Sequence, residues 1–462
     1  MLRIHKSLPG RLRVFAYIFP CLLPLPACAL DLLQSYQAAL EQDATFNVSR
    51  AATEASREVL PQARAQLLPS ISFSTSKYKN SLDSETLDPQ RKTQTGHSNY
   101  DSSQWTISLR QPLFRMYQYA QYEQAKSQVE SAEANLDKDR QSLGVRVSEA
   151  YFEALLAQGQ LALILSQKTA YDAQLQGAKR SLSAGVGTRT DIDEAQAKYD
   201  MVSAQEIEAS QNTKYTRRQL QAIVNQPVEY LVPLDAERLE LAPPAPAKLD
   251  DWIIVGYAVN PELRSLKAQI EAAREETEKA KSGHYPTLDF VAQRDRSSSQ
   301  NVTSINNTYL TSQFGLQATI PIFAGGYNNS MIRQARANLE KVQQQYEEAK
   351  RRLEVQIQKE FQNVTEGILK VRALEQAKRS AEQALYSTQK GMQAGTRTQI
   401  DVLNAEQQKV NTILNLGQSR YMYIVARIRL LALTGSLGVN EMLKINSWLS
   451  ENSNTSVAMQ KN

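Results

Sequence analysis

The sequence has very few of the residues that build disulfides, metal sites and catalytic dyads. Among its 462 residues only two are cysteine and three are histidine. Cys21 and Cys28 both lie near the N-terminus, while His5, His97 and His284 are too far apart for the ligand spacing of a metal site. The serines lie in polar stretches without a nucleophile elbow. We therefore expect no enzyme activity, no catalytic residues, no metal and no cofactor.

Long apolar runs are also missing after the first 29 residues. The mean hydropathy is −0.47, and no later run approaches the 18 or so apolar residues of a membrane helix. This excludes a helical integral membrane protein. The formal charge of +5 falls to +1 without the four basic residues of positions 1–29, so nothing indicates a nucleic-acid partner.

Residues 1–29 have the pattern of a secretory signal peptide. A basic start is followed by a short apolar stretch from Val14 to Leu25, and Ala27-Cys28-Ala29 fits a small-x-small cleavage site. The basic residues are Arg3, Lys6, Arg11 and Arg13. A lipobox that leaves a lipidated Cys28 is the alternative, although Pro26 fits that pattern poorly.

The rest of the chain contains an internal duplication. The repeated landmarks are Gln111-Pro112-Leu113-Phe114 with Ile320-Pro321-Ile322-Phe323, Gly187-Thr188-Arg189-Thr190 with Gly395-Thr396-Arg397-Thr398, and Leu68-Pro69-Ser70 with Tyr285-Pro286-Thr287. The first two pairs are 209 and 208 residues apart, and the third is 217 apart. We expect the extra residues of the first copy to lie between its two strands, where a loop can absorb them.

Each copy has the same predicted order of a helix, a strand pair and a long helical hairpin. The predicted divisions are a first repeat at 30–225 with strands at about 69–113, a proline-rich linker at 226–250, a second repeat at 251–434 with strands at about 286–321, and a polar, peripheral tail at 435–462. One helix is predicted over 31–65. Proline-free runs at 117–184 and 328–392 predict helices of roughly 100 Å, with return helices over 190–225 and 399–433.

The predicted strands alternate apolar and polar residues, as in Trp105, Ile107 and Leu109. Runs of nine to eleven residues match tilted strands that cross a membrane, with polar loops at 80–103 and 297–309 outside the cell. A sheet packed on a soluble core is the alternative. Four strands cannot close a barrel, and an open edge cannot lie in lipid. Membrane strands would therefore require several chains, and three chains would give twelve strands.

Residues 30 to about 435 resemble the TolC family of outer-membrane channel proteins. The matching segments are Leu32-Leu33 with Tyr36, Ala39-Leu40 and Asp43, Leu60–Ala65, Leu68-Pro69-Ser70, Gln111–Phe114, Pro321–Gly326 and the two Gly-Thr-Arg-Thr turns. Their order, spacing and duplication carry the resemblance, and the opening segment most resembles the type I secretion branch.

The resemblance implies an α+β fold in a homotrimer. A twelve-stranded membrane β-barrel, with four strands from each chain, would continue as a long periplasmic α-helical barrel of coiled-coil type. The expected partners are a periplasmic adaptor (membrane fusion protein), an inner-membrane ABC transporter, a secreted protein cargo and outer-membrane lipid. The chain would be a passive exit duct that is gated at its periplasmic tip.

The resemblance also implies where the gate lies. Matched by position, the gate residues are Asp191 in the first turn and Arg397 and Asp401 in the second, with Asn404 where the family has a further aspartate. Met392 stands where a tyrosine is expected. Converging carboxylates would repel one another unless paired, so Arg397 would be their counter-ion. The alternative for Asp191 is an ordinary acid in the first turn of a helix.

The same two turns are candidates for adaptor docking, because small residues allow a partner helix to approach the backbone. These residues are Val186, Gly187, Thr188, Ala394, Gly395 and Thr396. Two other functions remain open. A family member could serve a small-molecule or drug efflux pump, and a soluble periplasmic coiled-coil scaffold would require the strand alternation to be coincidental.

Overall fold

A computed structural model describes residues 29–300 and 306–450. Within them the chain forms ten α-helices and four strands. In the first copy these are α1 (Leu32–Gln42), α2 (Ala44–Arg57), α3 (Val59–Ala65), β1 (Ser70–Leu87), β2 (Thr93–Phe114), α4 (Met116–Ser183) and α5 (Arg189–Val224). In the second they are α6 (Leu249–Val259), α7 (Pro261–Lys281), β3 (Thr287–Gln300), β4 (Asn306–Thr319), α8 (Tyr327–Gln393), α9 (Gln399–Leu433) and α10 (Val439–Asn446). The mixture of long helices and a small antiparallel sheet confirms the predicted fold class.

The long helices α4 and α8 contain 68 and 67 residues and form the two helical hairpins with α5 and α9. The bounds of all four lie within one residue of those predicted from the proline-free runs. A helix continues until something interrupts its hydrogen-bond ladder, and proline is the strongest such interruption. At the turn of each hairpin, a glycine with positive φ follows the outgoing helix, Gly185 after α4 and Gly395 after α8.

The four strands form one antiparallel sheet in the order β1-β2-β3-β4. The strands are longer than predicted, with 18, 22, 14 and 14 residues. Most of the segment predicted as a loop at 80–103 belongs to the β1–β2 hairpin, and much of that at 297–309 belongs to β3 and β4, with 301–305 outside the described residues. Polar residues pair across this hairpin as regularly as apolar ones, so polarity there was not a loop signal. The extra residues of the first copy lengthen this hairpin.

The segment predicted as one helix over 31–65 is three helices, and this prediction was wrong. Asp43 leaves the helical conformation and caps α2, because its Oδ1 accepts a hydrogen bond from the Phe46 N–H at 2.7 Å. The same carboxylate accepts a hydrogen bond from Arg146 of α4 at 2.9 Å. A tertiary contact therefore stabilises a break that the apolar spacing did not reveal.

The linker region is irregular up to Leu249, as its prolines indicate. The segment predicted as a polar, peripheral tail from residue 435 is partly structural. Met442, Ile445, Trp448 and Leu449 are buried in the main hydrophobic core, where they lie near the N-terminal helix α1. Two apolar residues of α10 and two that follow it, Trp448 and Leu449, are enough to dock this segment. The predicted signal segment, apart from Ala29, lies outside the described residues.

No helix within residues 29–300 and 306–450 combines the length and the apolar character that crossing a membrane requires.

Candidate functional site

The two turns between the long helices have the same backbone geometry. In the first, the N–H groups of Val186 and Gly187 donate to the Ser181 carbonyl at 3.0 and 3.1 Å. In the second, the N–H groups of Thr396 and Arg397 donate to the Gly391 carbonyl at 2.8 and 3.2 Å. These bonds satisfy carbonyls that the end of a helix would otherwise leave free. The two turns are therefore equivalent structures at the same end of the two hairpins.

This equivalence corrects the register of the predicted repeat. The sequence matched Gly187-Thr188 to Gly395-Thr396 at a spacing of 208 residues. In the structure Gly185 corresponds to Gly395, which share a φ of 76°, and the helix caps Thr188 and Thr398 correspond. The structural spacing is therefore 210 residues. The shared Gly-Thr-Arg-Thr letters fall two residues out of structural register, so identical letters did not mark identical positions.

In the correct register each turn has one glycine at a place of close contact, but the two glycines do not occupy equivalent positions. A methyl group added at Gly187 would lie 2.8 Å from the backbone nitrogen of Leu182, next to Ser181. In the second turn Arg397 occupies the position of Gly187, and Gly391 occupies that of Ser181. A methyl group at Gly391 would lie 2.8 Å from Cγ of Arg397. The glycine at 391 thus leaves room for the arginine at 397.

The predicted gate carboxylates both cap helices. Oδ2 of Asp191 accepts hydrogen bonds from the N–H and hydroxyl of Thr188 at 3.0 and 2.7 Å. Oδ2 of Asp401 accepts the same pair from Thr398, both at 2.9 Å. The N–H groups of both aspartates donate back to the threonine hydroxyls. Each pair is a reciprocal capping box. Both aspartates are thus acids in the first turn of a helix, which is the alternative interpretation that the sequence allowed for Asp191.

The hydrogen bonds from Thr398, first its backbone N–H and then its hydroxyl, lower the pKa of the Asp401 carboxyl, and the Arg397 charge lowers it further. Arg397 itself is exposed and forms no ion pair or side-chain hydrogen bond with any described residue of the chain. Asn404, one turn further along α9, is exposed as well. The first turn has Gly187 where the second has Arg397. Its own arginine, Arg189, lies two residues later and pairs with Asp193 at 3.2 Å, so of these two arginines only Arg397 is unpaired within the described residues.

The predicted docking residues lie at the outer surface of the turns. Val186 is 82% exposed, and Thr188, Ala394, Gly395 and Thr396 are exposed too. Gly187 is half-buried against the preceding helix. An apolar side chain as exposed as Val186 at the tip of a hairpin is available for contact with another molecule.

Below the turns, a buried polar network joins α4 to α9. The Gln167 amide, which is buried, donates to the Tyr171 hydroxyl and to Oε1 of Gln407, both at 2.9 Å. Tyr171 also belongs to a small apolar cluster of the same helices, with Ile164, Val202, Ala209 and Leu403. Buried amides with satisfied hydrogen bonds fix one arrangement of the packed helices. Sequence reasoning missed this network, since glutamine is common on exposed helix faces.

At the other end of the chain, the sheet has one apolar and one polar face. The register places Ile71, Phe73 and Leu109 on one face with Phe290 and Leu316. The opposite face carries Ser72, Ser74, Thr106, Ser108 and Gln293. The apolar side chains of β1 and β4 are largely exposed in the single chain. Such a division is typical of strands between lipid and water.

Where the sheet meets the helices, one buried carboxylate holds two arginines. Asp289 of β3 has a side chain that is 3% exposed. It accepts hydrogen bonds from Arg110 of β2 at 2.6 and 2.9 Å and from Arg115, the cap of α4, at 2.5 and 2.7 Å. This cluster links two strands to the start of a long helix. The only sequence signal was an aspartate within an otherwise apolar stretch, Leu288–Val291.

The described residues contain no group of three or more histidine, cysteine, aspartate and glutamate side chains that could hold a metal ion. His97 pairs with Asp83 across the β1–β2 hairpin at 2.5 Å.

Comparison with known proteins yields consistent matches along the chain. A family model described as "Outer membrane efflux protein" matches residues 35–226 and 257–436. The chain is 34% identical over 430 residues to the alkaline protease secretion protein AprF of Pseudomonas aeruginosa, with 92% of this chain and 89% of that protein covered. It is 30% identical over 425 residues to the proteases secretion protein PrtF of Dickeya chrysanthemi, with 91% and 92% covered.

Among solved structures, the fold is similar to that of a membrane protein from Pseudomonas aeruginosa. The TM-score is 0.76 at 16% sequence identity, and the match covers 88% of this chain and 91% of the other. A likeness at this identity concerns the fold.

Proposed function

Because this chain belongs to the outer membrane efflux protein family, as its resemblance to the TolC channels predicted, we propose that it is the exit duct of a type I protein secretion system. Membership of the family places the protein in the outer membrane with a large periplasmic portion, and this overturns the alternative of a soluble scaffold. The family is described by transport rather than by an enzymatic step. The observation that carries the proposed substrate class is the 34% identity to AprF over nearly the whole chain.

The sheet supports an assembly of several chains. In the order β1-β2-β3-β4, one edge of β1 and one edge of β4 have no partner strand within the described residues. Unpaired backbone groups are costly in lipid, so a membrane sheet must close. A homotrimer would close a barrel of twelve strands by pairing β1 of one chain with β4 of the next. The polar face, rich in serine and threonine, would then line a water-filled lumen.

The helical hairpins would extend this lumen into the periplasm, and their turns would form its inner mouth. We place the gate at Asp191, Arg397, Asp401 and Asn404. Three copies of Asp401 at one mouth would repel one another. Arg397 supports the proposal, because its guanidinium has no ion-pair partner among the described residues of its own chain and remains available to a carboxylate of another.

We place adaptor docking on the exposed turns, at Val186, Gly187, Thr188, Ala394, Gly395 and Thr396. The other partners follow from the system: a membrane fusion protein as adaptor, an ABC transporter in the inner membrane as the energy source, and a secreted protein as cargo. A protease is the cargo class that the names of AprF and PrtF suggest.

Deletion of the gene tests the proposal. The culture supernatant should lose one or a few proteins, among them a protease, and the wild-type gene should restore them. Drug susceptibility should stay unchanged. A deletion strain with a normal secreted proteome and raised drug susceptibility would instead establish the second candidate, a drug efflux channel, which the description of the matching family favours.

A further inference from the structure

The apolar face of the sheet ends at a row of basic side chains. Along β4 and the residue after it, the apolar side chains of this face run from Leu310 to Ile320. Ten residues of strand at about 3.4 Å each, tilted by roughly 40°, span roughly 25 Å. This equals the height of the lipid-facing band of an outer-membrane barrel. The band therefore has an upper boundary near Leu310, on the side away from the helices.

Two arginines of β3 lie on this face near that boundary. Ile107 pairs with Arg294, and Trp105 pairs with Arg296, which in turn pairs with Leu310. Residues directly opposite in a sheet share a face, so both arginines point the same way as Trp105 and Ile107. Trp105 marks the boundary independently, since tryptophan is enriched at the junction of apolar chains and headgroups.

Two lysines of β1 continue the same face. Lys77 and Lys79 follow Phe73 and Thr75 with the alternation of the strand. Lys77 of β1 pairs with Ser103 of β2, which pairs with Ser298 of β3. Lys77 and Ser298 are therefore two strands apart, or roughly 10 Å at about 4.8 Å for each strand. Long side chains at that separation can contact one common group. We name Arg294, Arg296, Lys77 and Lys79 the outward basic cluster.

The cluster is exposed, and of its four residues only Lys79 has an acid directly opposite it in the sheet. All four residues are exposed, and none forms an ion pair or a side-chain hydrogen bond with any described residue. On this face the acid at the same level is Asp101, opposite Lys79, while Asp295 lies on the other face between the two arginines. Nor can a neighbouring β4 supply an acid, because Asn306–Thr319 contains neither aspartate nor glutamate.

Charged side chains on a lipid-facing surface are costly in the hydrocarbon but are tolerated where they can reach the headgroups. Arginine suits phosphate in particular, because its planar guanidinium donates two parallel hydrogen bonds. The cluster crosses the upper boundary of the apolar band, with Arg294 just inside it, Arg296 level with Leu310 and the two lysines beyond it. On the side away from the periplasmic helices, this level corresponds to the outer leaflet.

We propose that the outward basic cluster binds the phosphate groups of the phosphorylated glucosamine lipid, lipid A, that anchors lipopolysaccharide in the outer leaflet. The bound lipid would neutralise the cluster and fill the boundary beside Trp105. This inference rests on the proposed function, in that the sheet must span the outer membrane within a closed barrel.

Native mass spectrometry of the detergent-solubilised oligomer, titrated with bisphosphorylated lipid A, tests the inference. The test variant is Arg294→Gln with Arg296→Gln. The matched control is Arg91→Gln with Lys92→Gln, which removes the same charge from the β1–β2 turn, far beyond the band. Loss of two basic contacts should weaken binding roughly 25-fold, whereas the control should bind within about twofold of the wild type.

Equal binding by the test variant and the wild type would overturn the inference, as would equal binding of lipid A from which both phosphates have been removed. Equally tight binding of phosphatidylglycerol with the same dependence on the arginines would overturn the choice of lipid A. Heat-modifiable, SDS-resistant oligomers are scored for every variant. If the wild type forms none, the proposed channel fails and not the lipid site.

Discussion

Gly391 and Arg397 form a steric pair at the second hairpin turn, where a methyl group at position 391 would lie 2.8 Å from Cγ of the arginine. The first turn has the reverse arrangement, with Ser181 at the first position and Gly187 at the second. Each turn thus keeps one glycine where the chain closes on itself. In the second turn this glycine is at the first position, Gly391, and the second position carries a cation, Arg397.

The pair predicts that Gly391→Ala acts on the gate through Arg397. The added methyl group must displace the arginine side chain, so we expect single-channel conductance in planar bilayers to rise, as it should in Arg397→Ala. The double variant should conduct no more than Arg397→Ala alone, because both changes remove the same interaction. Gly177→Ala, whose added methyl group meets nothing within 4 Å, is the control. Unchanged conductance in Arg397→Ala would contradict the gate assignment.

Asp401→Asn should separate the charge of this residue from its capping role. Asparagine keeps an oxygen that can accept from Thr398, so the start of α9 should be preserved while three negative charges leave the mouth of a trimer. We expect higher conductance with an unchanged circular dichroism spectrum. Glu194→Gln, which removes a carboxylate from the second turn of α5 outside the assigned gate, should leave conductance unchanged. The same conductance in Asp401→Asn and wild type would show that Asp401 acts only as a helix cap and not in the gate.

The lowered pKa of Asp401 predicts how the tip responds to acid. A carboxyl whose folded pKa is below its unfolded value stabilises the fold above the unfolded pKa, and the contribution is lost as the pH falls through the folded pKa. That loss therefore occurs below the ordinary value of 3.8. Between pH 7 and about pH 5, hydrogen exchange of residues 399–404 should be independent of Asp401 protonation. A transition in this window that Asp401→Asn abolishes would contradict the capping geometry.

Asp289→Asn should destabilise the junction between the sheet and the helices. The change leaves Arg110 and Arg115 without their shared counter-ion. Because these side chains are 52% and 23% exposed, we expect a cost below the about 3–5 kcal/mol of a fully buried pair that loses one partner. We expect SDS-resistant oligomers to dissociate at a lower temperature. Arg110→Gln is the milder comparison, because that side chain is 52% exposed and Arg115 still pairs with the carboxylate. Equal melting of all three proteins would show that the cluster is not needed.

Gln407→Ala should loosen the packing of α4 and α9 below the tip. It removes the oxygen that accepts from the buried Gln167 amide at 2.9 Å, and an unsatisfied buried donor costs about 1–3 kcal/mol. Hydrogen exchange along α9 near residue 407 should accelerate. Gln408→Ala removes an exposed amide from the neighbouring position and should leave the exchange unchanged. Equal acceleration in both variants would assign the effect to helix propensity.

Much of the fold could be predicted because its signals are local. The absence of proline from two long runs located α4 and α8 within one residue at each end, and alternation located the strand pairs. The strand lengths were underestimated, since β1 and β2 continue as a polar hairpin in which hydrogen bonds, rather than apolar faces, set the pairing. The break at Asp43 was missed for a related reason, because Arg146 that contacts it comes from a distant part of the chain.

The candidate site was predicted only in part. Sequence order brought Asp191, Arg397 and Asp401 to the two turns, but the repeated Gly-Thr-Arg-Thr letters set the copies in the wrong register. Backbone hydrogen bonds decide that register, and a short string of shared residues does not. The Asp289 cluster and the Gln167 network could not be predicted, as each joins residues more than a hundred positions apart.

Local patterns in the sequence specify the duplicated plan, the long helices and the alternating strands, since each can be recognised within a short stretch of chain. The tertiary structure decided which turn residues are equivalent, which carboxylates act as caps, and which face of the sheet each basic side chain occupies. Those relationships depend on pairing between distant segments, where one residue of shift exchanges the two faces of a strand.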